Sequence, residues 1–371
     1  MINVNNLIKF LKSNKIDFFT GVPDSILKNL SQTIDTFPSK RHIISTNEGS
    51  AVALGAGYYL SQKKLPVIYM QNSGLGNAIN PLISLAHKNV YGIPMLLLIG
   101  WRGAPGTNDE VQHVEKGRIT KKLLSLLKIK TMELQNERDF QRLKKLIFFS
   151  KKHNCPVACL VKKNIFFSVI KRKKLKKEGS YPKSLERAYV LKYLLQNIKR
   201  NTDIISTTGF TSREVHEIRK KKNLKKGRDF YMVGAMGHSS MVALGNSYFK
   251  KRDTICLDGD GAALMHLGSL AITGNYGKKN LKYILFNNGS HESVGGQKTI
   301  APNINFEKIS KSFNFKKYFL SSSKMSLKSK FPKFLKHNGP CFFEIKIKNK
   351  SIKNLSRPKN LKYLKKEFLK G

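Results

Sequence analysis

The chain nearly repeats itself at an offset of 188 to 190 residues, and that repeat leaves few folds open to it. Thr20-Gly21 answers Thr208-Gly209, each closing an apolar run and opening a helical pattern. Ser50-Ala-Val-Ala-Leu-Gly55 answers Ser240-Met-Val-Ala-Leu-Gly245. The run Val67 to Met70, ending at Gln71-Asn72-Ser73-Gly74, answers the run that ends at Gly259, and Met95 to Ile99 answers Tyr283 to Phe286. Generic patterning explains any one match, but not four in order at a nearly constant spacing. Continuous short apolar runs alternating with helical periodicity predict α/β domains with mostly parallel sheets flanked by helices. The repeat predicts two of them, with the same strand order.

The two copies differ where chemistry would sit. The second carries Asp258-Gly259-Asp260-Gly261 after one apolar run and Asn287-Asn288-Gly289 after the next. Both read as loops at the carboxyl ends of neighbouring strands, where open α/β sheets bind ligands. A carboxylate and a carboxamide there are hard oxygen donors that suit Mg²⁺ or Ca²⁺ and leave positions for phosphate oxygens. Gly259 and Gly261 let a bulky anion approach the backbone. A single helix predicted over Ala262 to Thr273 would point its positive end at that anion. Leu264 stands where a dinucleotide fingerprint needs its third glycine, so a metal-bridged diphosphate is the better reading.

Composition excludes several classes. The chain has 371 residues, 69 Lys+Arg against 23 Asp+Glu, and a net charge of +46. The lysines are scattered over every predicted helix as well as in runs such as Lys171–Lys177 and Lys220–Lys226. No aromatic-interleaved basic motif accompanies them, so solvated faces, rather than specific nucleic-acid binding, are the expectation. The excess should still attract polyanions in a salt-dependent way. Cys155, Cys159, Cys256 and Cys341 lack zinc-type spacing and read as buried, reduced thiols of a cytoplasmic protein. No secretory signal or membrane-length apolar run is expected, because Leu7 to Phe10 is short and interrupted by Lys9. The expected division is a first domain over 1–165, a linker over 166–183, a second domain over 184–349 and a basic tail over 350–371. The tail could form an amphipathic helix through Leu361, Leu364 and Phe368.

From about Phe18 to Glu344 the chain resembles the thiamine diphosphate-dependent decarboxylases. The resemblance rests on Thr20-Gly-Val-Pro-Asp-Ser25, Asn47-Glu-Gly-Ser-Ala-Val-Ala-Leu54 and Asn72-Ser-Gly-Leu-Gly-Asn-Ala-Ile-Asn-Pro81. It continues through Gly259-Asp-Gly-Ala-Ala-Leu-Met-His266 and Asn287-Asn-Gly-Ser-His-Glu-Ser-Val-Gly-Gly-Gln297. The last stretch resembles the phosphonopyruvate branch, except that Lys298 stands where that branch has proline. The resemblance implies a pyrimidine-binding domain followed by a diphosphate-binding one, with no central third domain. It implies thiamine diphosphate and Mg²⁺ as cofactors, and a homodimer or larger homo-oligomer with active sites between subunits. The implied reaction is decarboxylation of 3-phosphonopyruvate to phosphonoacetaldehyde, placing the protein in phosphonate biosynthesis. Sulfopyruvate decarboxylation is the near alternative. A basic nucleic-acid-binding protein on a decayed scaffold is the distant one, and the intact Glu48, Asp260 and Asn288 count against it.

The resemblance also assigns residues. Asp260, Asn288 and the Ser290 carbonyl would hold the metal, although an acidic loop residue can also merely cap the next helix. Glu48 would share a proton with the cofactor's aminopyrimidine, whereas on pattern alone it reads as a helix-start glutamate. Met236 would support the bent cofactor and the Gly234 carbonyl would accept from its amino group. Gly237, His238, Ser239, Thr208, Gly209 and the Gly259 to Ala262 loop would line the diphosphate groove. Asp24 is expected either as a proton-transfer acid or as the cap of a helix beginning at Ser25. His113 is either an active-site or a surface histidine. His291 and Gln297 face the substrate in this reading, with Arg102, Arg118 and Lys298 as candidate anion clamps.

Overall fold

Strands form where apolar residues alternate between two buried faces. The structure, a computed structural model, describes residues 1–168, 181, 183–220 and 227–370. The chain divides into two compact units, Met1–Leu175 and Lys176–Gly371. Most of the expected linker (169–180 and 182), the run Lys171–Lys177 and residues 221–226 of the second basic run lie outside the described residues.

The first unit runs β1 (Ile2–Asn3), α1 (Val4–Ser13), β2 (Phe19–Gly21), α2 (Lys28–Ile34), β3 (His42–Ile44), α3 (Glu48–Gln62), β4 (Val67–Gln71) and α4 (Leu75–Pro81). It continues with β5 (Met95–Gly100), α5 (Val111–Leu126), β6 (Lys130–Leu134), α6 (Phe140–His153), β7 (Pro156–Val161) and β8 (Phe166–Phe167). Its main sheet is six-stranded in the order β3-β2-β4-β5-β7-β6, and every pairing is parallel. Along β4, Val67 and Tyr69 enter one core with Leu7, Leu30 and Leu143 of the helices, while Ile68 and Met70 enter the other with Val52, Leu75 and Leu124. That two-sided alternation makes the sheet read as unbroken apolar runs.

The second unit runs α7 (Arg187–Asn197), β9 (Asp203–Ser206), α8 (Phe210–Lys220), β10 (Arg228–Tyr231), α9 (Ser239–Tyr248), β11 (Thr254–Gly259), α10 (Asp260–Met265) and α11 (Gly268–Tyr276). It ends with β12 (Leu281–Asn287), α12 (Phe306–Ser312), β13 (Lys317–Ser321), α13 (Lys324–Lys336), β14 (Cys341–Lys346) and α14 (Leu361–Leu369). Its sheet is again six-stranded and parallel, in the order β10-β9-β11-β12-β14-β13. Substituting each strand of the first sheet by its counterpart in the second gives the same order, as the internal repeat requires. Ile284 and Phe286 of β12 face one core, and Tyr283 and Leu285 the other.

Two sequence expectations need correction. The helix expected over Ala262–Thr273 is two helices, because His266 leaves the helical region at φ −134°, ψ 57° and ends α10. The helix expected from Ser25 begins at Lys28 instead. The tail does form a helix, and its Phe368 is buried beside Phe230 of the edge strand β10. All four cysteines are free and buried. Among the described residues no helix is long and apolar enough to cross a membrane.

Candidate functional site

In the second unit the strand register fixes the main geometry. Gly259 at the end of β11 lies opposite Phe286 of β12, so Asp260 and Asn287-Asn288 leave the sheet side by side. Asp260 is 2% exposed. Its Oδ2 accepts from the Thr299 hydroxyl at 2.5 Å, and the backbone N–H of Asn288 also donates to its carboxylate. Burial outweighs these donors and pushes the carboxyl up to about 6. Asp258, two residues earlier on β11, is also buried and accepts from Tyr283 Oη at 2.9 Å, bracing β11 against β12 beneath the loop. A Cβ placed on Gly259 would face open space, whereas one on Gly261 would approach the His291 ring at 3.0 Å.

The remaining loops close around this corner. Gly209 has φ +92°, and a Cβ there would lie 3.3 Å from Ser293 Oγ, which brings Thr208-Gly209 to the 290–297 loop. In the Gly234-Ala235-Met236-Gly237 turn, Ala235 (φ +52°) and Gly237 (φ +86°) are both left-handed, and the Met236 methyl packs toward Gly261. Left-handed backbone at a residue with a Cβ is strained and marks a constrained turn. A Cβ on Gly237 would meet His266 Cδ2 at 2.5 Å and the Ala262 carbonyl at 3.2 Å. His238 is exposed and stacks on His266, with ring centroids 4.5 Å apart, while Ser239 is fully buried at the start of α9.

The 290–297 loop is a closed hairpin. His291 N–H donates to the Gln297 carbonyl at 2.7 Å, and Thr299 N–H to Gly289 O at 3.0 Å. Burial lowers the His291 pKa to about 4, so the ring is neutral near pH 7. The Ser290 hydroxyl and both amide atoms of Gln297 are buried with no hydrogen-bond partner among the described residues. Buried amides seldom lack partners, which makes Gln297 a candidate to meet a group from outside the chain.

The first unit gathers its own cluster. Glu48 begins α3, capped by Asn47, whose side chain accepts from Gly49 N–H at 2.8 Å. The Glu48 side chain is buried, Asn77 Nδ2 donates to its Oε2 at 2.8 Å, and it lies against Gly74. Sequence reasoning quoted Asn77 and Gly74 within a motif without linking them to Glu48. Asp24 is 1% exposed and accepts from Ile26 N–H, Leu27 N–H and Gln71 Nε2 at 3.0, 3.2 and 2.8 Å. Thus Asp24 caps a turn ahead of α2, and burial raises its pKa despite these donors. Arg102 reaches Ser25 Oγ at 3.2 Å and pairs with both oxygens of Asp109, so its guanidinium is already engaged.

His113 sits half-buried in the first turn of α5, its carbonyl packed against Gly103. Arg118 is exposed and paired with Glu115 at 2.7 Å, a surface ion pair rather than part of either cluster. Lys298 is exposed.

Comparison with known proteins decides the family. Residues 3–124 match the N-terminal TPP binding domain of thiamine pyrophosphate enzymes, and residues 207–345 match the C-terminal TPP binding domain. Phosphonopyruvate decarboxylase of Streptomyces viridochromogenes is 31% identical over 97% of this chain and 92% of its own length. The chain belongs to the phosphonopyruvate decarboxylase family of thiamine pyrophosphate enzymes. Phosphonopyruvate decarboxylase of Streptomyces hygroscopicus is likewise 31% identical, over 97% of this chain and 91% of its own length. Sulfopyruvate decarboxylase of Methanosarcina acetivorans is 28% identical, over 80% of this chain and 78% of its own length.

Proposed function

We propose that this chain is a thiamine diphosphate- and Mg²⁺-dependent carboxy-lyase converting 3-phosphonopyruvate to phosphonoacetaldehyde and CO₂, acting in phosphonate biosynthesis as a cytoplasmic homodimer or larger homo-oligomer. The observation that carries the reading is Asp260, a buried carboxyl raised to about 6 beside the Asn288 amide and next to open space at Gly259. That donor set is short of positive charge and fits a divalent cation bound beside a diphosphate. Asp260, Asn288 and the Ser290 carbonyl would hold the metal. Thr208, Gly209, Gly237, His238, Ser239 and the Gly259, Gly261 and Ala262 loop would line the diphosphate groove, with Met236 and the Gly234 carbonyl placed for the pyrimidine ring.

When bound, thiamine diphosphate supplies the carbon that attacks the ketone and the electron sink for the departing carboxylate. The chain's own residues do the rest. Glu48 would exchange a proton with the aminopyrimidine, and Asn77 and Gly74 fix where its carboxyl points. Asp24, whose burial favours the protonated form, would give a proton to the product, and His113 is the second candidate for that transfer. Neutral His291 and unpartnered Gln297 offer donors to an anionic 2-oxo acid.

A desolvated phosphonate held by charge-assisted hydrogen bonds gains on the order of 3 kcal/mol, and each ~1.4 kcal/mol is tenfold in rate constant. Phosphonopyruvate should therefore exceed pyruvate in kcat/KM by about 100-fold. The test is CO₂ release from phosphonopyruvate, sulfopyruvate and pyruvate at fixed ionic strength with thiamine diphosphate and Mg²⁺. Equal values for pyruvate and phosphonopyruvate would refute the anion recognition. The similarity to the sulfopyruvate enzyme favours a second reading, which a clear sulfopyruvate preference would establish. Salt-dependent DNA binding with no turnover would move the chain to another class altogether.

A further inference from the structure

An asparagine amide is a useful metal ligand only if its oxygen, not its nitrogen, faces the ion. The two ends are nearly equal in size, so packing alone does not choose between them. In this structure a chain of buried charges makes the choice. Asn288 Nδ2 donates to Glu292 Oε2 at 3.2 Å. The same oxygen accepts from Arg187 Nη2 at 3.1 Å, and Arg187 Nε donates to Glu214 Oε2 at 3.0 Å. Glu214 Oε1 in turn accepts the backbone N–H of Ile352 at 2.9 Å, past the last strand of the sheet.

The side chains of Arg187, Glu214 and Glu292 are 6%, 0% and 15% exposed. A carboxylate only accepts hydrogen bonds, so Glu292 can engage the amide only at its NH₂ end. The Asn288 oxygen is thereby turned the other way, where it accepts Ser290 N–H at 3.0 Å. Burying charge of this kind is costly compared with apolar packing, and a registry role is its best-supported use.

We propose that Glu292, held by the Arg187–Glu214 pair, is a positioning residue that fixes the Asn288 amide with its oxygen toward the divalent cation. This rests on the reading of Asn288 as a cation ligand. Partners behind a metal ligand typically change metal affinity 10–100-fold when removed.

The test measures free Mn²⁺ by electron paramagnetic resonance, with the full chain and thiamine diphosphate present. Glu292→Ala should weaken Mn²⁺ binding about tenfold or more, while kcat at saturating metal stays near wild type. In an Asn288→Ala background the Glu292 effect should vanish. Asn288→Asp should restore affinity to Glu292→Ala, because both of its terminal atoms are oxygens and need no orienting partner. A merely structural role would produce neither the non-additivity nor the rescue. Circular dichroism checks the fold, and should Glu292→Ala not fold, Glu292→Gln should weaken binding in the same direction and be rescued in the same way. Unchanged Mn²⁺ affinity in the Glu292 variants, with loss in Asn288→Ala, overturns the positioning role. No loss in Asn288→Ala overturns the cation assignment itself, and the proposal with it.

Discussion

Gly74→Ala isolates the placement of Glu48 from its chemistry. Gly74 has φ −81° and ψ −9°, a conformation open to alanine, so backbone strain does not enter. The added methyl would lie 2.2 Å from Glu48 Oε1, 2.4 Å from Cδ and 2.5 Å from Cγ. Against an ordinary contact near 3.4 Å that is a shortfall of about 1.2 Å, which the flexible glutamate relieves by moving. The cost to stability is therefore small. The cost to function is not, since a ~1 Å misplacement of a reacting group costs on the order of 10²-fold, about 2.7 kcal/mol. Proton exchange at the thiazolium C2 carbon, followed by NMR in deuterium oxide, reads that step directly, and a thermal melt reads stability. Gly76→Ala is the internal control: it lies two residues on, in the first turn of α4 that Gly74 precedes, with nothing within 4 Å of its added methyl. It should exchange at the wild-type rate. Wild-type exchange in Gly74→Ala would show that the carboxyl position seen here is not the working one, and would refute the role given to Glu48.

Three further outcomes are expected. Asp260→Ala should abolish Mg²⁺-dependent retention of thiamine diphosphate with the fold intact; equilibrium dialysis showing normal retention would remove Asp260 from the metal set. Glu48→Gln should bind cofactor yet lose about 10²–10⁴-fold in C2 exchange, because an amide hydrogen-bonds without sharing a proton. Stability should fall on acidification through His42, whose burial lowers its pKa from 6.5 to about 4 while its ring bonds Tyr69 Oη at 2.8 Å. The unfolded chain binds that proton first, so the contribution is present above pH 6.5 and lost as pH falls toward 4, roughly 3 kcal/mol in all. Urea midpoints between pH 7 and 4 measure it, and His42→Gln with an unchanged pH slope would contradict it.

That the two domains share one strand order was legible because the central strands, such as β5 and β12, are buried on both faces, which leaves an unbroken apolar run, and because the repeat supplied such runs twice. Asp260 and Asn288 were legible for the same reason: a buried strand ends abruptly at its first polar residues. The break between α10 and α11 was not, since the apolar periodicity of Ala262 to Thr273 runs on through His266, and a lone Gly268 inside a helical pattern is a weak stop signal. Nor could pattern show that Arg102 is engaged by Asp109, or that Arg187 and Glu292, 105 residues apart, share an ion pair. Such pairings depend on where loops return after the sheet is assembled, and no local spacing records that. Gln297 was named from resemblance, but its lack of a partner among the described residues is visible only in three dimensions.

The duplicated loops explain why one copy would carry the metal and the other would not. In the first unit Gln71 pairs with Gly100 as Gly259 pairs with Phe286 in the second, so Asn72 occupies the place of Asp260. Asn72 is buried too, but it is neutral and saturated. Its Oδ1 accepts Arg102 N–H at 3.0 Å, and its Nδ2 donates to the Arg102 carbonyl and Thr120 Oγ1, each at 2.9 Å. The amide has a donor and an acceptor to match both backbone groups of the facing loop, so the loop pair closes on itself. Asp260 has no donor, and a buried carboxylate without a full positive partner carries a penalty that hydrogen bonds from Thr299 and from the backbone N–H groups around it do not cancel. One atom therefore separates the two corners: nitrogen in the first unit completes the protein's own bonding, while oxygen in the second leaves a charge that a cation from solution would satisfy.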